Sequence, residues 1–406
     1  MAPQPWVFAR RTSGQGRDGL AAILALSEAE DVIPFAGGFP DPATFPGEVL
    51  ADLMRHLVVL GDSSAFQYGP VVGLPGPRAF IRERLAASEG RLADEDEFMI
   101  TSGAIEALDL LGKALLERGD PVLLEAPTYL GAIMAFRGFE AAVGTVPTDE
   151  SGLCVEVLEA WLRRKPRPKL LYTIPDHQNP GGMTLSMDRR IVLAEFAERH
   201  GLLVIEDVAY RELGFTTDRL PSLWSLAPGN VVQCGTFSKT FFPGVRMGWA
   251  VGPSPVIAQM RRAKQNTDQC AGSLGQRLLE EFGRRGHLDA TNLAARALYG
   301  RRCALLMNAL DEQMPDGVTW TRPNGGFFTW VRLPAGVDSE ELAREALGVG
   351  VAFVPGSPFY PDGRGRDRFR LSFSCVGDSD IAEGVRRLAT VIRQRQELVA
   401  GASGIA

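Results

Sequence analysis

The chain has 406 residues, of which 45% are hydrophobic and 23% charged, and its net charge is −6. This length suggests two or three domains with a sizeable core, and the acidic balance argues against a nucleic-acid-binding protein. The five cysteines are scattered without a CxxC spacing and the four histidines lie far apart, so neither a disulfide framework nor a metal site is predicted. Because no signal peptide and no apolar run of membrane-spanning length are present, we expect a cytoplasmic protein without a membrane partner.

Short apolar segments alternate with helix-like segments through the middle of the chain. This alternation is typical of a mostly parallel α/β sheet. The first predicted strand runs into a predicted helix over residues 104–119, and a second amphipathic helix is predicted over 187–201. The predicted strands cover residues 97–103, 121–127, 169–175, 202–207 and 230–234.

The pattern changes after about residue 290. A long helix is predicted over residues 288–313, and a charged helix over 379–400 closes the chain. Strand-like segments between them cover residues 325–334, 350–356 and 368–374. We therefore predict a large α/β domain over residues 50–290 and a smaller α+β domain formed by residues 1–49 and 291–406.

Polar side chains follow each predicted strand. In open parallel sheets, ligand sites form beyond the carboxyl ends of the strands. The segment "TSGA" after the first strand opens a helix, whose free amides and dipole favour an anion. Taken singly, the residues after the strands can be explained as caps, packing residues, turns or a solvent-exposed lysine. Their joint occurrence in this order instead indicates one shared ligand. The residues are Tyr129, Asn179, Asp207, Tyr210, Thr236, Ser238, Lys239 and Arg246.

Pyridoxal 5′-phosphate needs every group in this set. Its phosphate suits a helix N-terminus, hydroxyls and an arginine, and its ring suits an aromatic face. Its phenolic oxygen suits an Asn or Tyr donor, and its aldehyde suits a lysine. A carboxylate keeps the pyridine nitrogen protonated, and this makes the ring a better electron sink. Lys239 and Arg246, within "GTFSKTFFPGVRMGW", would hold opposite ends of this cofactor.

These residues resemble those of fold-type I pyridoxal-phosphate enzymes of the class I/II aminotransferase family, and the chain is most similar to the kynurenine/2-aminoadipate aminotransferase branch. Matching segments run nearly end to end and include "FQYGPVVGLPGPRAFI", "PDHQNPGG" and "EDVAY". The resemblance implies a large domain with a mostly parallel seven-stranded sheet between helices, plus a smaller α+β domain. It also implies ping-pong transfer of an amino group between an L-amino acid and a 2-oxo acid.

The resemblance implies a role for each matching residue. Lys239 would attach to the cofactor aldehyde and carry the proton between Cα and C4′, while Asp207 would pair with the pyridinium nitrogen. Tyr129 would stack on the ring, and Asn179 and Tyr210 would contact its phenolic oxygen. The phosphate would be held by Ser102, Gly103, Ala104, Ile105, Thr236, Ser238 and Arg246.

Further matches concern the substrate and the partner subunit. Arg370 matches the arginine that clamps the substrate α-carboxylate, a task for which a planar guanidinium is well suited. Gly38 and Asn179 match positions of the substrate pocket. Tyr68 matches a tyrosine that reaches the phosphate of the neighbouring subunit, which implies a homodimer with shared sites.

The chain departs from the family pattern at three places. Ala104 and Ile105 stand where relatives usually have Ser-Gln, so backbone amides would do more of the phosphate binding. Gly181 replaces the threonine of the usual "NPTG" turn. Ala21 stands where relatives that act on dicarboxylic substrates often carry an arginine, and Arg17 is a candidate substitute.

Other functions remain open at the level of the sequence. The same residues would support decarboxylation, side-chain replacement or oxidation of an amino acid, because the cofactor fixes the chemistry. A non-catalytic regulator, in which such a domain follows a DNA-binding domain, is disfavoured by the acidic charge and by a family-like region that begins near residue 7. The sequence does not identify the amino acid, because an apolar pocket discriminates by only about 1–3 kcal/mol per methylene.

Overall fold

The computed structural model describes residues 6–13, 31–59, 61 and 63–403. Arg17 and Ala21, considered above for side-chain recognition, lie outside the described residues. The strands are β1 (Ile33–Pro34), β2 (Phe98–Thr101), β3 (Pro121–Ala126), β4 (Ala142–Asp149), β5 (Gly152–Leu153), β6 (Leu170–Thr173), β7 (Leu203–Asp207), β8 (Val231–Thr236), β9 (Gly248–Val251), β10 (Thr319–Trp320), β11 (Phe328–Arg332), β12 (Val351–Ala352), β13 (Val354–Pro355) and β14 (Arg368–Ser372).

The α-helices among the described residues are α1 (Arg10–Ser13), α2 (Gly47–Val59), α3 (Pro75–Glu89), α4 (Ala104–Leu115), α5 (Leu130–Gly138), α6 (Leu158–Leu162), α7 (Met187–His200), α8 (Leu223–Leu226), α9 (Ser254–Gln265), α10 (Ser273–Arg284), α11 (His287–Gln313), α12 (Ser339–Gly348) and α13 (Asp378–Ser403). None of them is long and apolar enough to cross a membrane. The same residues contain no group of three or more His, Cys, Asp or Glu side chains arranged to hold a metal ion.

The large sheet has the strand order β2-β9-β8-β7-β6-β3-β4-β5. Neighbouring strands from β8 to β4 are parallel, whereas β9 runs antiparallel to both β8 and β2. The fold is therefore α/β with a mostly parallel sheet, as predicted. The seven-stranded core of that sheet is extended by β5, which has only two residues and pairs with the edge of β4.

The predicted strands were recognisable because both faces of this sheet are covered. Every residue of β2 and β6 is buried, so each strand reads as a continuous apolar run. The segment-by-segment pattern missed β4 and β9. Strand β4 contains Gly144 and Pro147, and only one of its eight residues is fully buried, so it lacks an apolar run. Strand β9 has only four residues, shortly after the turn at Arg246.

Helices cover both faces of the large sheet. On one side, α4 packs against α5 and α9, and its Leu108 and Leu111 enter the larger hydrophobic core. On the other side, α7 and α8 pack together around Trp224 in a second core. These helices fix the positions of the strand ends, where the candidate site lies.

The C-terminal part contains an antiparallel sheet with the order β10-β11-β14-β13. Helix α11 spans residues 287–313, one residue more than predicted, and packs against the closing helix α13. Strand β14 carries Arg370 at its centre and pairs with both β11 and β13. The division of the chain at residues 50 and 290 stays a prediction.

Candidate active site

A cavity of about 140 Å³ lies beyond the carboxyl ends of β3, β6, β7 and β8. Most of the sequence-predicted site residues meet there. Ile174 and Ala209 also line the cavity and were not predicted, although Ile174 lies near the end of one predicted strand and Ala209 follows another. The lining residues are Ala104, Ile105, Tyr129, Ile174, Asn179, Asp207, Ala209, Tyr210, Thr236, Ser238, Lys239 and Arg246.

Lys239 places its amine inside this cavity. Its Nζ donates a hydrogen bond to the carbonyl oxygen of Gly38 at 2.8 Å, which brings Gly38 to the site although it does not line the cavity. The Nζ lies 5.9 Å from the ring centres of both Tyr210 and Phe327. Burial, followed by repulsion from Arg370, lowers the pKa of Lys239 to about 8. A larger share of neutral, nucleophilic amine is therefore present near neutral pH than for an ordinary lysine.

Asp207 ends β7 and is buried at the floor of the cavity. Its Oδ2 accepts a hydrogen bond from the hydroxyl of Tyr172 at 2.8 Å, and its Oδ1 accepts one from the amide of Ala209 at 3.1 Å. Burial raises the pKa of Asp207, while the Tyr172 hydrogen bond is the largest opposing effect. Within the described part of the chain, no arginine or lysine forms a salt bridge with this carboxyl group.

A cradle with the geometry of an anion site forms where α4 begins. Gly103 precedes the helix with φ of +92°, and a Cβ atom built there would lie 2.6 Å from Nη2 of Arg246. Arg246 donates to the hydroxyl of Ser238 at 3.1 Å, and the hydroxyls of Thr236 and Ser238 are 2.9 Å apart. The backbone of Arg246 has a left-handed φ of +56°, a conformation that costs on the order of 1 kcal/mol and is often found at functional sites.

The neighbouring residues of the cradle have different surroundings. Ser102 donates its hydroxyl to Asp268 at 3.1 Å and does not line the cavity. Ala104 and Ile105 line the cavity from the first turn of α4, and neither has a polar side chain. An anion bound here would therefore depend on the helix amides, the hydroxyls of β8 and its loop, and Arg246.

Arg370 lies beside the cavity and is 6% exposed. Its Nη1 donates to Oδ1 of Asn179 at 2.9 Å and its Nη2 donates to the carbonyl of Ala36 at 2.8 Å. The guanidinium carbon lies 4.2 Å from the ring centre of Phe328 and 5.0 Å from that of Phe359. Burial lowers the pKa of Arg370 to about 10. Its Nε is buried without a hydrogen-bond partner among the described residues.

The two tyrosines of the cavity are held in different ways. Burial raises the pKa of Tyr210 strongly, and an interaction with the side chain of Asn179 opposes this effect in small part. The ring of Tyr210 packs edge-on against Phe327 and Phe328, at centre distances of 5.5 and 5.6 Å. Tyr129 directly precedes α5, and burial raises its pKa as well. Both phenols therefore stay protonated near neutral pH.

Tyr68 is not brought into the cavity within one chain. Its side chain is 83% exposed and lies near Asp268 and Cys270. The exposed fraction is high for a tyrosine with an apolar ring. Its predicted role in a neighbouring subunit is considered with the proposed function.

A buried carboxyl group joins two of the strand ends below the cavity. Glu125 of β3 accepts hydrogen bonds from the hydroxyl of Thr173, from the amide of Ile174 and from Nε2 of Gln178. Gln178 also donates to the carbonyl of Pro127 at 2.7 Å. Burial raises the pKa of Glu125 to about 7. The sequence contained one sign of this junction, the charged Glu125 inside the apolar run "PVLLEA". It did not indicate which residues donate hydrogen bonds to Glu125.

The site fits pyridoxal 5′-phosphate on its own geometry. Among the residues that the structure describes, Asp207 forms no salt bridge with a lysine or an arginine, and Arg246 and Arg370 form none with an acidic residue. The Gly103 cradle would hold a phosphate and Lys239 an aldehyde. Asp207 would hold the pyridinium nitrogen, and the free Nε of Arg370 is a donor available to a carboxylate. The donor set therefore complements both the cofactor and an amino-acid substrate.

Comparisons with known proteins agree with this chemistry. The family model for aminotransferase class I and II matches residues 31–388. A 2-aminoadipate transaminase from Thermus thermophilus is 39% identical over 98% of this chain and 100% of its own length.

Two solved structures are similar over nearly the whole chain. The kynurenine aminotransferase of Pyrococcus horikoshii, in a complex with PMP, has a TM-score of 0.91 at 37% identity, covering 95% of this chain and 97% of that one. The alpha-aminoadipate aminotransferase of Thermus thermophilus, complexed with N-(5′-phosphopyridoxyl)-L-leucine, has a TM-score of 0.90 at 38% identity, covering 96% and 98%. These relatives favour transamination over the alternative reactions. The chain belongs to the class I and II aminotransferase family, as a pyridoxal 5′-phosphate-dependent enzyme that transfers an amino group between an amino acid and a 2-oxo acid.

Proposed function

We propose that both half-reactions of this aminotransferase take place in the cavity around Lys239. The observation that carries the proposal is a set of charged side chains around that amine that form no salt bridge with any other described residue. Asp207 would complement a cation, while Arg246 and Arg370 would complement two anions. A cofactor with a ring cation and a phosphate, together with a substrate carboxylate, supplies these charges.

Lys239 would act as the acid–base group. When bound, pyridoxal 5′-phosphate supplies an electron sink conjugated to the substrate Cα. With a pKa of about 8, the amine of Lys239 can accept a proton from Cα and return it at C4′ near neutral pH. The rings of Tyr210 and Phe327 near Nζ limit access of water to this proton.

Asp207 and Arg246 would hold the two ends of the cofactor. The buried carboxylate of Asp207 would favour a protonated ring nitrogen. The Gly103 cradle, Thr236, Ser238 and Arg246 would bind the phosphate. Tyr129 would cover the ring, and Tyr210 with Asn179 would hydrogen-bond its phenolic oxygen.

Arg370 would bind the α-carboxylate of the substrate and fix the direction of its Cα–H bond. The contacts of Nη1 and Nη2 with Asn179 and Ala36 hold the guanidinium between two phenylalanine rings. Two parallel hydrogen bonds from a fixed guanidinium orient a carboxylate better than one ammonium can. Gly38 would leave room for the substrate beside Arg370.

The similar proteins suggest which substrates to test first. They are named for 2-aminoadipate and for kynurenine, which share the α-amino and α-carboxylate groups but differ in the side chain. We propose an L-amino acid with a long or aromatic side chain as donor and a 2-oxo acid as acceptor.

A half-reaction tests the function. The holoenzyme receives one amino acid and no 2-oxo acid. Transamination predicts one equivalent of 2-oxo acid per site, loss of the absorbance band of the Lys239-bound cofactor, and recovery of the band when a 2-oxo acid is added. Multiple turnovers without an acceptor would indicate a lyase or an oxidase and would contradict the proposal.

We also propose a homodimer in which Tyr68 reaches the phosphate of the partner's cofactor. Its exposed position outside the cavity supports this assignment. Mixed dimers of Lys239→Ala and Tyr68→Phe chains test it. One site of such a dimer would combine an intact Lys239 with an intact Tyr68 from the other chain, so it should have wild-type affinity for the cofactor. If this site binds as weakly as the Tyr68→Phe homodimer, Tyr68 acts within its own chain, and if that homodimer binds the cofactor as tightly as the wild type, Tyr68 does not contact the phosphate. The cytoplasmic location and the domain limits at residues 50 and 290 stay predictions.

A further inference from the structure

Tyr172 is a buried polar residue to which the sequence assigned no role. It lies in β6 with 0% of its surface exposed, and its hydroxyl donates to Oδ2 of Asp207 at 2.8 Å. Its ring packs edge-on against Phe136, with centres 6.2 Å apart and planes at 64°. The ring position is therefore fixed by the core, and the hydroxyl is directed at one carboxylate oxygen.

The surroundings of Asp207 make this hydrogen bond important. Tyr172 and the amide of Ala209 each donate to one carboxylate oxygen, and both donors are neutral. The other titratable groups that interact with Asp207 are Lys239 beyond β8, Cys234 on β8, Glu125 on β3, and Tyr129 and Tyr210 beside the cavity. Of these groups only Lys239 can carry a positive charge, and it forms no salt bridge with Asp207.

We propose that Tyr172 is a positioning residue that keeps the proton shared by Asp207 and the cofactor on the ring nitrogen rather than on the carboxyl group. The inference rests on the role proposed for Asp207. A ring nitrogen that keeps its proton makes the cofactor a stronger electron sink.

The physical reason is a competition for one proton. Burial favours the neutral, protonated carboxyl group, and this would leave the ring nitrogen neutral as well. A hydrogen bond donated to the carboxylate opposes that effect, because it stabilises the ionised form of Asp207 more than the protonated form. An arginine or lysine in place of Tyr172 would also stabilise the carboxylate. Its positive charge, however, would compete with the ring cation for the negative charge of Asp207.

Tyr172 can serve as such a donor over the whole working range of pH. Burial raises the pKa of its phenol well above the ordinary value, and the charge of Asp207 raises it further. The hydroxyl therefore keeps its proton and remains a donor.

The test follows the ring nitrogen directly. Wild-type and Tyr172→Phe proteins are loaded with cofactor labelled with ¹⁵N in the ring, and the ¹⁵N chemical shift is recorded from pH 6 to pH 9. We expect a protonated nitrogen throughout in the wild type. In Tyr172→Phe the ¹⁵N shift should move towards that of a neutral nitrogen at every pH in this range, because transfer of the proton to Asp207 leaves the number of bound protons unchanged. The half-reaction should slow about tenfold, the scale for loss of one hydrogen bond to a charged group.

Tyr299→Phe is the matched control. Tyr299 is equally buried, and its hydroxyl accepts a hydrogen bond from the amide of Asp41 at 3.0 Å, so the same atom is removed without contact to Asp207. This variant should keep the wild-type ¹⁵N shift at every pH. Replacing Tyr172 by a fluorinated tyrosine keeps the packing but strengthens the donor, so the ¹⁵N shift should stay at the wild-type value or move further towards that of the protonated nitrogen.

The outcomes separate the possible failures. If Tyr172→Phe keeps the wild-type ¹⁵N shift, Tyr172 is a packing residue and the inference is wrong. If Tyr172→Phe does not fold, the fluorinated protein decides, because a ¹⁵N shift closer to that of a neutral nitrogen than in the wild type would overturn the inference. If the wild type binds no cofactor, the function proposed above fails instead.

Discussion

Replacing Arg370 by lysine is the sharpest test of how the substrate is held. The charge at the site would remain, but the forked donor and its planar stacking would be lost. Arg370 bonds Asn179 at 2.9 Å and Ala36 at 2.8 Å, and its guanidinium carbon lies 4.2 Å from the ring centre of Phe328. A lysine at position 370 offers a single ammonium group, which cannot make two parallel hydrogen bonds to a carboxylate.

The expected loss follows from these contacts. One hydrogen bond to the substrate carboxylate contributes about 1.5–3 kcal/mol. The stacked cation contributes about 0.5–2 kcal/mol, of which an ammonium would keep part. The sum of about 2–4 kcal/mol corresponds to a decrease in kcat/KM of roughly 30- to 1000-fold, at about 1.36 kcal/mol per factor of ten.

The assay compares an amino acid with the primary amine that lacks its carboxylate. Half-reaction rates with both are measured for the wild type and for Arg370→Lys, and the preference for the amino acid should fall by the stated factor while the rate with the amine changes little. Arg302→Lys serves as the control, because Arg302 is also buried but bonds Asp41 and Asp378 outside the cavity. An unchanged preference in Arg370→Lys would refute the assignment of the carboxylate to this guanidinium.

Three further outcomes are expected. Lys239→Ala should bind the cofactor without the absorbance band of the attached form and lose at least roughly 10²–10⁴-fold in half-reaction rate, as measured by stopped-flow absorbance; a variant with wild-type turnover would rule out the acid–base role. Capture of the cofactor by the cofactor-free protein requires a neutral amine, and the pKa of Lys239 is about 8. The capture rate should therefore rise with pH and level off above about 8, whereas a continued rise towards pH 10 would show an ordinary lysine. Gly103→Ala should weaken phosphate and cofactor binding at least tenfold by equilibrium titration, because the new methyl group would meet Arg246 at 2.6 Å. Gly119→Ala is the control, because Gly119 has a similar φ of +83° but an added Cβ would meet no atom within 4 Å. If both variants lose the same affinity for the cofactor, backbone strain and not the clash with Arg246 explains the loss, and Gly103 does not form a phosphate cradle.

Much of the fold and the site could be predicted because most site residues lie within a few positions of the end of a recognisable strand. Lys239 and Arg246 lie in one loop, and Asp207 ends a buried strand that Tyr210 follows three residues later. Parallel strands bring such loops to one edge of the sheet, so short local patterns were enough to predict their convergence. Arg370 was found by resemblance alone, since it lies on another sheet.

Other features depend on contacts that no local pattern contains. Tyr172 reads as an ordinary apolar residue of a buried strand, and only the pairing of β6 with β7 brings its hydroxyl to Asp207. The two rings around Arg370 come from β11 and from the turn at Phe359, far apart in the sequence. The partner of Tyr68 lies outside a single chain, and its role stays a prediction.

The junction at Glu125 has a consequence for how new specificities can arise in this enzyme. Its hydrogen bonds to Thr173, Ile174 and Gln178 lock the neighbouring ends of β3 and β6 together. Tyr129 and Asn179, just beyond these ends, thus stand on a fixed base, whereas Gly38 reaches the site from outside the large sheet. Substitutions around Gly38 can alter which side chain is accepted while the reaction itself is retained, so selection can change the range of amino acids that the enzyme uses without rebuilding its chemistry.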